Sequence, residues 1–95
     1  IGYSETKKPD FEASLWPNPT TGPTTLSINT TENQKFRLEL LGSDGRLLKV
    51  LRNEVLELGT HELALGTSNL KPGVYLVRIT GSRSSMVLKV LVSGR

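Results

Sequence analysis

The sequence predicts an all-β fold: about seven short strands, mostly antiparallel, packed as two sheets. Three observations predict it. Turn signals built from Gly, Pro, Asn and Asp recur every ~8–15 residues. The runs between them alternate apolar and polar positions and are rich in Leu, Val, Ile and Thr. The connections are short, which joins antiparallel neighbours, and two facing sheets are the usual way to bury such strands.

Ninety-five residues suit one small domain with one core. Residues 1–10 are polar and close on Lys7-Lys8-Pro9-Asp10, which reads as a linker from an upstream region, so the domain is expected over residues 11–95. The opening residues lack a signal peptide's apolar stretch and an initiator Met, as expected of a piece of a longer protein. No apolar run approaches the ~20 residues of a membrane-spanning helix.

The first run is Phe11 to Trp16, with Phe11, Ala13 and Leu15 on one side. Pro17 and Pro19 end it, because neither donates a ladder hydrogen bond. Asn18, held between them, is pushed toward extended or turn geometry. Gly22-Pro23 reverses the chain into Thr24 to Asn29, where Leu26 and Ile28 point inward and the hydroxyls outward. The third run, Lys35 to Leu41, turns Phe36, Leu38 and Leu40 to the core, with Arg37 and Glu39 opposite.

Asp44-Gly45 is the strongest hairpin signal in the chain. A helix over residues 46–58 roughly fits Leu47, Leu48, Leu51 and Val55, but the turn and the strand leading into it favour a hairpin through Arg46 to Arg52. Residues 53–58 then read as a connection, and His61, Leu63 and Leu65 mark a fifth strand. Pro72-Gly73 fits a type II turn. Val74 to Thr80 is apolar on both faces and should be central; Met86 to Val92 is the last strand.

The chemistry of an enzyme is not visible. There is no Cys and a single histidine, His61, in an alternating strand, which argues against a metal site or a thiol nucleophile. Asp44 is explained by its turn and Asp10 by a linker end, and Glu54 and Glu57 read as solvated surface. Gly42-Ser43-Asp44-Gly45 lacks the Lys-Ser/Thr of a phosphate loop, and Asn29-Thr30-Thr31 matches a glycosylation triplet by coincidence. No catalytic residue, cofactor or metal is expected.

Charge is uneven. Residues 1–62 carry seven Lys/Arg and nine Asp/Glu, and residues 63–95 carry five cations and no acid, so the two parts differ at −2 and +5. Arg78, Arg83 and Lys89 form an expected basic surface, but few aromatics accompany it, so nucleic acid is not an expected partner.

Several segments resemble the type A C-terminal sorting domain of proteins exported by the bacterial type IX secretion system. They are Leu15-Trp16 before Pro17-Asn18-Pro19 with Gly22 following, Leu38 to Arg46, Leu70-Lys71-Pro72-Gly73-Val74-Tyr75, and Lys89-Val90-Leu91-Val92. The family usually has Tyr or Phe where Trp16 stands. The resemblance covers about residues 13–92. It implies an Ig-like sandwich at the C-terminus of a Gram-negative cargo protein. It implies as partners an outer-membrane translocon, a sortase-like peptidase that removes the domain, and the upstream cargo. It implies passage through the periplasm to the cell surface or medium.

On this reading the sorting motif is Lys89, Val90, Leu91, Val92, Ser93, Gly94 and Arg95, a charge, an apolar run and an end suited to capture by a receptor. The other motif residues also have plain folding roles. Pro17-Asn18-Pro19 can simply stop an edge strand, Asp44, Gly45, Pro72 and Gly73 can simply shape turns, Tyr75 can be core, and Lys89 can keep an edge from pairing. Exposed edges also permit a strand-swapped homodimer. The alternative class is a carbohydrate-binding or fibronectin-like accessory module; against it, Trp16 and Tyr75 are expected inside.

Overall fold

A computed structural model describes residues 10–21, 23–66 and 69–93. The described residues form seven strands: β1 (Phe11–Trp16), β2 (Thr24–Thr30), β3 (Gln34–Gly42), β4 (Leu47–Leu56), β5 (Gly59–Leu65), β6 (Gly73–Thr80) and β7 (Ser85–Val92). A three-stranded sheet has the order β1-β2-β5 and a four-stranded sheet the order β4-β3-β6-β7, with every strand pair antiparallel. This two-sheet arrangement fits the Ig-like sandwich expected, and β6 is central as its two-sided apolar pattern requires.

Alternation places the core. Leu26 and Ile28 from the smaller sheet meet Leu38, Leu40, Val77, Ile79 and Val90 from the larger. Phe11 and Phe36 pack edge to face at one end, with centroids 5.0 Å apart and planes at 82°. The hairpin over a helix is the correct choice for residues 46–52, and Gly45 takes the φ of 89° that its turn requires.

Three expectations need correction. Residues 53–56 are strand: Asn53, Glu54, Val55 and Leu56 pair with Arg37, Phe36, Lys35 and Gln34. They pair in regular register, and the two register shifts lie in the first half of β4, between the partners of Leu38 and Glu39 and those of Leu40 and Leu41. Gly73 sits at φ 154° and opens β6 opposite Val92, far from the ~+80° of a type II turn. The hydroxyls of β2 do not all face water, because Thr24 and Thr30 are buried beside Leu26 and Ile28.

Asp10 is also more than a linker end. Its carboxylate accepts from Ser84 Oγ at 2.6 Å and Gln34 Nε2 at 3.0 Å, and its carbonyl accepts from Thr31 N at 3.1 Å. Buried Gln34 completes the cluster, donating to Thr30 Oγ1 and accepting from Ser82 N. The start of β1 is thereby tied to the turn between β6 and β7. The Ser84 hydrogen bond is the main cause holding the Asp10 carboxyl below its ordinary range.

Candidate recognition surface

The segments at opposite ends of the sequence meet. After Trp16 the chain leaves the smaller sheet, reaches the free edge of β7 at Thr20, and returns to the smaller sheet at Thr24. Both X-Pro bonds in this crossing, Trp16-Pro17 and Asn18-Pro19, are cis. Thr20 pairs with Val92 in a parallel bridge: Thr20 N donates to Leu91 O at 2.9 Å, and Ser93 N donates to Thr20 O at 2.7 Å. Asn18 bonds the same edge with its side chain, Nδ2 donating to Lys89 O at 2.7 Å and Oδ1 accepting from Leu91 N at 2.9 Å.

The physical reason is local. Prolines have no amide hydrogen, so residues 17–19 offer little main-chain donation, and the Asn amide supplies a donor and an acceptor instead. The Pro-Asn-Pro segment is therefore a cover for the β7 edge as well as a strand stop. Thr20, nearly fully buried, is a member of this cover that the sequence reading missed. The signal available for it was its place directly after the second proline.

The expected motif residues divide. In β7, Val90 and Val92 are core, while Lys89 and Leu91 point outward. Ser93 is bound to Thr20, and Gly94 and Arg95 lie outside the described residues, as does Gly22. Asp44 accepts from Arg46 N at 3.0 Å and shapes its turn. Pro72 is exposed, and Tyr75 is half-buried, its hydroxyl donating to Lys71 O at 2.7 Å. His61 donates from Nε2 to Glu57 O at 2.6 Å.

The basic surface is not one free patch. Arg78 binds Glu39 at 2.7 Å from the outer face of the larger sheet, and Arg37 binds the same carboxylate at 2.8 Å. Arg83 pairs with Glu32 in the turn region, and Lys89 stands exposed. The charge imbalance along the sequence is thus partly cancelled in space, since Arg78 on β6 lies directly opposite Glu39 on β3. Glu39 is only 4% exposed although it lies on the outer face, and the Arg78 hydrogen bond, then that of Arg37, lowers its pKa.

Trp16 is not inside: it is 71% exposed. The crossing to β7 starts immediately after it, so no layer covers its ring. Among the described residues there is no group of three or more His, Cys, Asp or Glu placed to hold a metal ion.

Comparison with known proteins places these features. The family model described as the secretion system C-terminal sorting domain matches residues 14–93, which include the Pro-Asn-Pro cover, the hairpin, Gly73 to Tyr75 and β7. No curated protein matches the chain at a significant level.

Proposed function

This chain belongs to the secretion system C-terminal sorting domain family, the sorting signal of type IX secretion, and from that premise we propose how it serves its cargo. The domain is a non-catalytic tag. It carries an upstream protein, already in the periplasm, to the outer-membrane translocon and then to the cell surface or medium. The segment from Lys89 onward is what the receptor reads, and a sortase-like peptidase cuts in or just before residues 1–10.

The family match over residues 14–93 is the observation that carries this reading. Two features support the details. Asp10 is bonded into the fold, so a cut N-terminal to it releases the domain without breaking the sandwich. Lys89 and Leu91 are outward-facing on β7 and available to a partner. Mass spectrometry of exported cargo tests the cleavage: its mature C-terminus should lie before Phe11, and surface cargo that retains β1 to β7 would contradict it.

The exposed Trp16 favours a second reading, a carbohydrate-binding accessory module. Sugar platforms generally use several coplanar aromatics, and the register gives Trp16 only Ser, Thr and Ala neighbours: Ser14 along β1, Thr25 opposite and Ala64 beyond it. A glycan screen decides between them, with no binding expected.

A further inference from the structure

Resting on the sorting reading, we propose that the outer face of the larger sheet docks this domain to the secretion machinery, against a protein surface that is apolar and carries carboxylates. The face extends beyond the terminal motif to β4, β3 and β6.

The register defines it. Leu91 lies opposite Val74, and Lys89 opposite Leu76, which in turn pairs with Leu41 and through it with Leu47. Val87 lies opposite Arg78, which pairs with Glu39 and through it with Val50. Leu47, Val50, Val74, Val87 and Leu91 are all exposed. The outer face of the smaller sheet differs: Glu12, Ser14, Ser27, Asn29, Thr60 and Glu62 share its middle. An ordinary solvated sheet would make both outer faces polar, and the apolar character is concentrated on one.

Charge selects the occupant. Lys35, Arg37, Arg78 and Lys89 share this face with one acid, Glu39, a net of +3 from four cations and one carboxylate. A shallow depression of about 340 Å³ beside the ion network is lined by Lys35, Arg37, Asn53, Thr80, Gly81 and Ser82, and holds two cations and no acid. A partner offering carboxylates there matches both the apolar and the basic parts. A second copy would bring the same cations against these ones. A membrane surface is disfavoured because the aromatic suited to an interface, Trp16, lies on the other sheet.

Closure of the β7 edge directs recognition to side chains. Asn18 and Thr20 already occupy the main-chain groups of Lys89, Leu91 and Ser93. A receptor cannot add a strand there while this cover is in place, so it reads Val87, Lys89 and Leu91 as a face.

The test uses this domain fused behind a signal peptide and reporter in a bacterium that runs type IX secretion. A photocrosslinking residue at Val87 should capture a protein of the outer-membrane machinery, and one at Ser27 should not. Lys89→Glu, and the pair Val87→Thr with Leu91→Thr, should each lower export roughly tenfold, with melting temperatures near the parent's and Thr60→Lys exported normally. Folded face variants exported at the parental level overturn the proposal. So does capture of a second copy at Val87, or parental binding to anionic-lipid vesicles that these variants abolish. Failure of the parent fusion itself to leave the cell would instead refute the sorting reading, and the docking proposal with it.

Discussion

The side-chain amide of Asn18 grips the β7 main chain on both sides of Val90, donating to Lys89 O at 2.7 Å and accepting from Leu91 N at 2.9 Å. This joins two motifs separated by 71 to 73 residues and makes the last strand an interior position of the fold's main-chain pairing. An edge that would otherwise invite pairing with other chains is closed by a side chain and one bridging residue.

Asn18→Ala should therefore speed hydrogen exchange at the Leu91 amide, with a smaller effect at Ser93, which Thr20 holds. The bonds are solvent-exposed, so the stability loss should be modest, about 1 kcal/mol. Asn18→Asp should behave as an intermediate, since it keeps the acceptor for Leu91 and loses the donor to Lys89. Unchanged Leu91 exchange in the Ala variant would show that the cover does not hold the edge.

Glu39 should govern part of the acid sensitivity. Its folded carboxyl is held below the ordinary value of 4.5, first by Arg78 and then by Arg37. A depressed folded pKa gives stability that is present above that value and is lost as pH falls through the folded one. Glu39→Gln should cost roughly 1–2 kcal/mol near neutrality and flatten the decline below about pH 4.5. Thermal melts across that range check it, and an equal acid slope in both proteins would contradict it.

Thr24→Val should stabilise the protein. The Thr24 hydroxyl is buried, with no hydrogen-bond partner among the described residues. Replacing it with a methyl of similar shape removes a desolvation cost of order 1 kcal/mol. Chemical denaturation measures the change, and a large loss of stability would mean that the hydroxyl has a partner.

Gly81→Ala should destabilise by about 1–3 kcal/mol. A Cβ at Gly81 would stand 2.6 Å from Gln34 Oε1 and 3.1 Å from Phe36 Cε1. Gln34 cannot move freely, because it is bonded to Asp10, Thr30 and Ser82. An Ala variant as stable as the parent would show that this end of the sandwich yields easily.

Period-two alternation made most of the fold legible. It marked Phe36, Leu38 and Leu40 as core, and the two-sided apolar run of β6 marked a central strand. It failed in the second half of β4, where Asn53 and Glu54 read as a connection although they pair with Arg37 and Phe36. The candidate surface was legible only in part. Lys89 and Leu91 stood out as motif residues, but the pairing of Asn18 with β7 depends on a main-chain approach that no local pattern encodes. Trp16 was misplaced because aromatic residues are usually buried, and the crossing strand leaves this one without a covering layer.

The same geometry decides how the signal is to be probed. Deleting residues 89–95 would remove the buried Val90 and Val92 and the partners of Asn18 and Thr20. Truncation would confound loss of the signal with loss of the fold, whereas Lys89 and Leu91 can be changed on the surface.

The most direct test of the sorting account places the domain behind a periplasmic reporter in two strains that differ only in the type IX translocon. The reporter should reach the surface or medium in the intact strain and stay in the periplasm without the translocon. Retention in both strains, or release from both, would contradict it.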